Sequence, residues 1–176
     1  MTLVRLITTA LMCLTLAACG SRSVGNKIDD QFLEPKVRSQ ITQSHADLAS
    51  PTSNIVVVSY NGVILLTGQT PRAELKEQAE RVARTVLGVK RIHNEIQILK
   101  PTSLLVRSND TLLTTRIKTQ MAADSTVPAS KIKVVTENGV VFLLGIVSRQ
   151  EGQAASNLVQ SVNGVQKVVK AFQYTN

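Results

Sequence analysis

The sequence contains few of the residue types that carry catalytic and metal-binding chemistry. Its 176 residues include two cysteines, two histidines and no tryptophan, and aromatic residues make up 3% of the chain. Neither His45 nor His93 has a second histidine or a cysteine at the spacing of a metal site, so both are interpreted as structural residues. The sequence has no phosphate-binding glycine loop and no recognisable Ser-His-Asp arrangement. These absences predict a protein without enzymatic activity, bound metal or cofactor.

The N-terminus has the pattern of a bacterial export signal. Arg5 precedes an apolar run over residues 6–18, which is too short to cross a bilayer as a helix. The run ends in Leu16-Ala17-Ala18-Cys19, which resembles the bacterial lipobox. That resemblance implies that residues 1–18 are removed as a signal peptide and that Cys19 becomes the acylated, palmitate-bearing first residue. The alternative is an ordinary secretory signal that happens to contain a cysteine.

The residues around the predicted cleavage site bear on location and chemistry. Gly20 and Ser21 follow Cys19 without the aspartate that resembles an inner-membrane retention signal, so the expected location is the outer membrane, facing the periplasm. Cys13 would leave with the signal peptide, so a mature chain has no free thiol and no disulfide. The formal net charge is +8. An exported basic chain is expected to meet anionic lipid or polyanionic polymers rather than DNA, and the low aromatic content argues against single-stranded nucleic acid.

One nine-residue pattern occurs twice in the chain. YNGVILLTG at residues 60–68 returns as ENGVVFLLG at residues 137–145. The match continues beyond each segment as far as Gly88-Val89 in the first copy and Gly164-Val165 in the second. A shared pattern of this length indicates a duplicated module.

Each copy has the same predicted order of elements. Two runs rich in β-branched residues flank Asn61-Gly62, and again Asn138-Gly139, a pair that favours the positive φ angles of a type I′ turn. An amphipathic helix follows each hairpin, beginning at Pro71 in the first copy and with a capping box of Ser148 and Glu151 in the second. A last strand follows the glycine that ends each helix, so strand, helix and strand form a crossover.

A further helix precedes each hairpin. The predicted buried side chains recur at helical spacing: Phe32, Val37 and Ile41 in the first copy, and Leu113, Ile117 and Met121 in the second. Asp110 is placed to cap the second of these helices. Each copy therefore reads αββαβ. The predicted fold class is α+β, with two tandem modules whose three-stranded mixed sheets are each covered by two helices.

The predicted organisation of the chain has five parts. They are a signal peptide at 1–18, the lipidated cysteine with a flexible tether at 19–30, a first module at 31–98, a linker at 99–107 and a second module at 108–176. Each module is close to the lower size limit for an independent core, so the two are expected to pack against each other.

The order of elements, the Asn-Gly-Val hairpin with its closing glycine, and the Gly-Val before each last strand resemble the BON domain. Ser108-Asn109-Asp110-Thr111 and Val135-Thr136-Glu137-Asn138-Gly139 strengthen the resemblance, which covers essentially all of the chain after the signal. Two BON domains behind a lipobox imply a non-enzymatic outer-membrane lipoprotein that supports envelope integrity. The resemblance also implies binding of anionic phospholipid through the second module, and links to the division site and to outer-membrane β-barrel assembly.

The resemblance implies that the second module contacts lipid partly through its first helix and the segment just before it, and we hypothesise that residues 107–119 form a lipid-facing strip there. Leu112 lies about 100° around this helix from Leu113, beside basic residues. The strip comprises Arg107, Ser108, Asn109, Asp110, Thr111, Leu112, Thr115, Arg116, Lys118 and Thr119. The position of Leu112 resembles one that is usually tryptophan in relatives, so weaker lipid binding is implied here. Leu104-Leu105-Val106 either packs between the modules or belongs to the same surface.

A second class of function stays open. The chain could be a protein adaptor that docks on an envelope machine, such as outer-membrane β-barrel assembly or a regulator of peptidoglycan remodelling, with lipid only as its tether. Protein-free liposomes separate the two classes, because a lipid-binding module binds them in a salt-sensitive way and an adaptor does not. Neither class involves nucleic acid or a small-molecule substrate.

Overall fold

The computed structural model describes residues 24–175 of the chain. The predicted signal peptide at 1–18 and the predicted lipidation site Cys19 lie outside the described residues. Among the helices within the described part, none is long and apolar enough to span a membrane.

The chain forms two α+β modules with the same order of elements. The first contains α1 (Val24–Ser44), β1 (Asn54–Tyr60), β2 (Val63–Thr70), α2 (Ala73–Arg84), β3 (Arg91–Asn94) and β4 (Gln97–Ile98). The second contains α3 (Leu104–Ala123), β5 (Ile132–Glu137), β6 (Val140–Val147), α4 (Arg149–Gln160) and β7 (Lys167–Tyr174). Short 3-10 turns at Ala46–Leu48 and Ala129–Lys131 precede the two hairpins.

Both sheets are mixed, with the second arm of the hairpin at the centre. β2 pairs antiparallel with β1 and parallel with β3 and β4, while β6 pairs antiparallel with β5 and parallel with β7. The last strand of the first module is interrupted, so that sheet counts four strands where the second has three. Each crossover helix joins two parallel strands of its sheet. The α+β fold class with two tandem αββαβ modules is therefore confirmed.

The two hairpin turns have the geometry that their sequence predicts. Asn61 and Gly62 have φ angles of 55° and 77°, and Asn138 and Gly139 have φ angles of 50° and 73°. Two consecutive positive φ angles define the type I′ turn, whose twist matches that of the flanking strands. The repeated Asn-Gly pair is thus a backbone requirement of the fold.

The glycine that closes each repeated segment allows two strands to approach closely. A Cβ atom added at Gly68 would lie 1.9 Å from the carbonyl oxygen of Asn54, and one at Gly145 would lie 2.7 Å from that of Lys131. Both distances are far inside van der Waals contact, so no other residue fits without movement of the backbone. This close approach explains why both copies keep glycine here.

Three predicted helix starts are wrong. α1 begins at Val24, so residues 24–30 are helical and the prediction of a flexible tether is wrong for them. α3 begins at Leu104 after the N-cap Ser103, whose hydroxyl accepts a hydrogen bond from the Val106 amide, so the predicted linker contains the first turn of a helix. α2 begins at Ala73, two residues after Pro71. The capping box of α4, by contrast, is confirmed at Ser148 and Glu151.

One predicted core residue of α1 is wrong. Phe32 is 72% exposed, whereas Leu33 is buried and packs with Val37 and Ile41 in the core of the first module. The spacing of four in the buried set of α1 matches that of α3, where the predicted set is confirmed: Leu113, Ile117 and Met121.

The modules pack sheet against sheet. A shared core cluster contains Val58, Tyr60 and Leu65 from the first module and Phe142, Leu144 and Ala171 from the second. The Tyr60 hydroxyl donates a hydrogen bond to the Lys131 carbonyl at 2.7 Å across this interface. The shared core confirms the prediction that two small modules support each other, because each buries apolar area that it would otherwise expose.

The interface has approximate two-fold symmetry. The side-chain Nδ2 of Asn61 donates to the Gln173 side-chain oxygen at 3.3 Å, and the side-chain Nδ2 of Asn138 donates to the Gln97 side-chain oxygen at 3.2 Å. These two pairs occupy equivalent positions in the two copies. Each hairpin turn therefore lies beside the last strand of the other module.

Candidate functional site

The exposed side of α3 carries apolar residues at its N-terminal half. Leu105 and Leu112 are 71% and 65% exposed and lie seven residues apart, so they share one face of the helix. Arg116 lies one turn beyond Leu112 on the same face and is also exposed. We call these three residues, Leu105, Leu112 and Arg116, the α3 surface. The segment that the sequence left open, residues 104–106, is helical, and Leu105 belongs to this surface.

The helix divides the predicted lipid-binding strip between two faces. The exposed residues on the face of Leu112 are Ser108, Asn109, Thr115, Arg116 and Thr119. Arg107, Thr111 and Lys118 are exposed as well, but they lie about 100–140° around the helix from Leu112. Only the first group can meet one flat surface together with Leu112.

Asp110, the remaining residue of the strip, is buried and has a different role. The prediction that it caps α3 is wrong, since it lies in the interior of that helix. Its carboxylate accepts hydrogen bonds from the Asn138 amide at 2.8 Å and from the Gly139 amide at 2.9 Å. Asp110 thus clamps the hairpin turn to α3 and is not available to a ligand.

A groove of about 440 Å³ lies beside this clamp. It is lined by α3, by the turn at Asn138 and Gly139, and by the loop that follows α4. The Arg116 guanidinium donates a hydrogen bond to the Asn163 carbonyl of that loop at 3.0 Å. This bond fixes the cation at the rim of the groove, next to Leu112.

A buried carboxylate lies on the other side of α3. Glu137 is 6% exposed, and the Gln69 side-chain amide of the first module donates to it at 2.7 Å. Burial raises the pKa of Glu137 above its ordinary value of 4.5, and the nearby charge of Asp110 raises it further. The hydrogen bond from Gln69 and the charge of Arg107 both lower this pKa and so oppose the rise. Arg107 therefore acts on the interface between the modules, away from Leu112.

The first module repeats this geometry at equivalent positions. The Asp30 carboxylate accepts from the Asn61 amide at 2.7 Å and from the Gly62 amide at 3.0 Å, as Asp110 does in the second module. A groove of about 330 Å³ lies beside it, and Phe32 and Leu87 are exposed at its rim. Phe32 and Leu87 are missing from the predicted site. The internal repeat is the signal that locates them, since Phe32 aligns with Leu112.

The histidines have local roles in the structure. The His45 ring nitrogen Nδ1 accepts a hydrogen bond from the Asp47 amide at 3.0 Å and caps the short 3-10 turn. Partial burial lowers the pKa of His93 on β3. Within residues 24–175, no group of three or more histidine, cysteine, aspartate or glutamate residues is arranged to hold a metal ion.

The fold and the site define a class of protein: a tandem αββαβ chain with an exposed apolar and basic surface beside each clamped hairpin turn. The profile of the BON domain matches residues 29–100 and 109–176. The chain therefore belongs to the BON domain family, which confirms the resemblance inferred from the repeated motifs.

Curated relatives match most of the chain. It is 39% identical over 157 residues to "Outer membrane lipoprotein DolP" of Haemophilus influenzae, covering 89% of this chain and 80% of the relative. It is 39% identical over 153 residues to "21 kDa hemolysin" of Actinobacillus pleuropneumoniae, covering 87% and 78%. It is 32% identical over 148 residues to "Osmotically-inducible protein Y" of Escherichia coli, covering 82% and 72%.

Proposed function

We propose that this chain is an outer-membrane lipoprotein, anchored through acylated Cys19 and facing the periplasm, whose second module binds anionic phospholipid through the α3 surface. The observation that carries the proposal is the exposure of Leu105 and Leu112 on one face of α3, with Arg116 beside them. Similarity to the outer membrane lipoprotein of Haemophilus influenzae supports the location. In this role the protein supports envelope integrity without catalysing a reaction, and the division site is one place where it would act.

The size of the proposed contact is that of a weak membrane-binding site. A leucine side chain fully removed from water contributes about 1.5–3 kcal/mol, and a basic residue near an anionic surface about 1 kcal/mol. Two leucines and Arg116 therefore give at most roughly 4–7 kcal/mol before the entropic cost of binding. An acylated Cys19 would hold the module at high effective concentration beside the bilayer, so that such a weak contact becomes occupied.

The test is co-sedimentation of residues 20–176, without acylated Cys19, with liposomes that contain or lack anionic phospholipid. Leu112→Glu is expected to weaken binding to anionic liposomes about tenfold or more, because a carboxylate replaces apolar surface and repels the headgroups. High salt is expected to weaken binding by the parent chain through screening of Arg116. Since Leu112 is 65% exposed, helicity and melting should stay unchanged.

The matched control is Thr111→Glu, which adds the same charge to an exposed position of α3 about 100° around from Leu112. It should bind nearly as the parent does. Equal binding by the parent and Leu112→Glu would rule out the α3 surface. Absence of binding to every liposome would instead favour the adaptor, with an outer-membrane assembly or division protein as its partner.

A further inference from the structure

We propose that the first module carries a second membrane-contact surface, directed at anionic phospholipid and formed by Phe32, Lys36, Leu87 and Lys90. These four residues are named the α1 surface. The inference goes beyond the proposed function, which assigns lipid binding to the second module alone. It rests on the same membrane anchor.

Among the residues that line the two grooves, the two apolar residues of the α1 surface are the most exposed apolar side chains. Phe32 on α1 is 72% exposed, and Leu87, which follows α2, is 87% exposed. Both line the groove of about 330 Å³ beside the first hairpin turn, together with Lys36 and Lys90. Two large apolar side chains and two cations thus border one concave site.

The backbone under this surface is fixed by the hairpin turn. The Lys90 amide donates to the Gly62 carbonyl at 2.9 Å, and the Lys90 side-chain carbons Cγ and Cδ lie 3.0–3.1 Å from where a Cβ atom on Gly62 would stand. The aliphatic part of Lys90 therefore lies on the glycine of the turn. The buried Asp30 carboxylate holds this hairpin turn through hydrogen bonds to its backbone amides. A surface that is ordered before binding loses less entropy when it docks.

The equivalent positions of the second module are less apolar and less basic. Phe32 and Leu87 align with Leu112 and Asn163, and Lys36 and Lys90 align with Arg116 and Gln166, which line the other groove. The first module thus has two exposed apolar residues and two cations, where these positions of the second have one of each. With Leu105 included, the α3 surface also has two exposed apolar residues, so the α1 surface differs from it by one additional cation and by an exposed aromatic ring.

Charge complementarity indicates a membrane as the occupant of this surface. Within the described residues 24–175, neither Lys36 nor Lys90 forms an ion pair. Asp29 is exposed at the groove and contributes one opposing charge, whereas the Asp30 carboxylate is buried in the turn. Lysines that flank exposed phenylalanine and leucine match a bilayer boundary, where phosphates meet the amines and acyl chains meet the apolar tips.

The position of the α1 surface in the chain also favours a membrane. Val24, the first residue of α1, is five residues after Cys19, so the extended chain between them reaches at most about 18 Å. Phe32 lies eight residues further along the helix, which adds about 12 Å. An acyl anchor at position 19 would therefore keep Phe32 within about 30 Å of the bilayer by covalent connection alone.

The absence of tryptophan from the chain allows a direct test with single reporters. Phe32→Trp, Leu112→Trp and Glu77→Trp are made in residues 20–176, the last as a control because Glu77 is an exposed residue on α2. On vesicles of anionic phospholipid, we expect Phe32→Trp emission to shift to the blue and to be quenched by brominated acyl chains. Glu77→Trp should show neither change.

The two reporters separate this inference from the proposed function. A response of Phe32→Trp without one of Leu112→Trp supports the α1 surface and contradicts the assignment to the second module. The opposite pattern overturns the α1 surface and leaves the proposed function in place. Silence of both reporters overturns both.

Reversing the charge of Lys36 tests the α1 surface independently, with Phe32 left unchanged. Lys36→Glu is expected to weaken binding to anionic vesicles about fivefold or more, which corresponds to the loss of one favourable cation at the surface. Arg38→Glu makes the same change on the same helix, at an exposed position about 120° around from Phe32. Equal effects of the two substitutions would overturn the α1 surface, since only long-range charge would then matter.

Discussion

Asp30 and Asp110 show how one buried side chain can join a helix to a hairpin. The backbone amides at the two central residues of each turn face the preceding helix of the module, where no strand supplies a carbonyl partner. Each aspartate accepts both amides, and each lies six residues, somewhat less than two turns of helix, before Lys36 or Arg116. The clamp therefore also fixes the helix that carries the candidate surface.

Removing the acceptor of this clamp should destabilise the fold. Asp110→Ala would leave the Asn138 and Gly139 amides without their acceptor, and we expect it to lower the free energy of unfolding by about 2–4 kcal/mol. Asp110→Asn should cost less, because its amide oxygen retains one acceptor site. Urea unfolding measures both. Asn109→Ala, at the exposed neighbouring position, is the control and should change stability by less than about 0.5 kcal/mol. A similar value for Asp110→Ala would show that the clamp contributes nothing.

The role of Asp110 could not be predicted from the residues next to it in sequence. Its residue type suggested a helix cap, and its true partners are amides 28 and 29 residues further along the chain. No pattern within one helix encodes such a contact. The internal repeat does carry the information, because each helix has an aspartate three residues before its first buried leucine: Asp30 before Leu33, and Asp110 before Leu113.

At the scale of elements, Gly68 and Gly88 allow the effect of backbone conformation to be separated from the effect of close strand packing. Gly68 and Gly88 have nearly the same φ angle, 104° and 100°. They differ in space, since a Cβ atom would lie 1.9 Å from the Asn54 carbonyl oxygen at Gly68 but 3.6 Å from the nearest atom, on Leu33, at Gly88. Any difference between their alanine variants therefore reports the approach of β1 to β2.

Gly88→Ala is expected to cost about 1–2 kcal/mol, which is the penalty of a left-handed backbone with a Cβ atom. Gly68→Ala should cost more than about 4 kcal/mol or prevent folding, because the Asn54 carbonyl must move. Thermal unfolding of the two purified variants, or the soluble yield if Gly68→Ala does not fold, makes the comparison. Equal losses of stability would mean that the strands tolerate separation and that φ alone selects glycine.

The elements that sequence predicts best are those with strong local signals. Type I′ turns follow from Asn-Gly, and the capping box follows from Ser148 and Glu151, because the interacting groups are close in sequence. The start of α3 at Leu104 is missed because exposed leucines after Pro101 resemble a linker, while its cap, Ser103, has no glutamate three residues later. Phe32 is misassigned as a core residue because Phe32 and Leu33 are adjacent and both apolar, and only tertiary packing decides which one is buried.

The arrangement of the whole molecule depends on contacts that no single module contains. The hairpin of each module meets the last strand of the other, and the shared core joins the sheet faces that the helices leave uncovered. Composition and module size predict that the modules pack together. The two-fold arrangement itself depends on side chains such as Tyr60 and Gln173, whose hydrogen-bond partners lie in the other module. Such contacts between modules produce no periodic pattern in the sequence.

Glu137 makes the stability of this arrangement depend on pH. Because burial raises its pKa in the folded protein above the ordinary value of 4.5, the folded state binds more protons than the unfolded state between these two pKa values. The contribution of the protonated form is therefore fully present below about pH 4.5 and is lost as the pH rises through the folded pKa. Glu151 acts in the opposite sense, since Lys131 lowers its pKa, and its contribution is lost only on acidification towards that lowered value.

Glu137→Gln should remove the cost of the buried charge while keeping an oxygen for the Gln69 amide. We expect the variant to be more stable than the parent at neutral pH by on the order of 1 kcal/mol, and equal to it below about pH 4.5. Urea unfolding across this pH range measures the difference. Glu77→Gln, on the exposed face of α2, controls for loss of one negative charge. A Glu137→Gln variant that is less stable than the parent at every pH would mean that the ionised carboxylate, supported by Arg107, stabilises the interface.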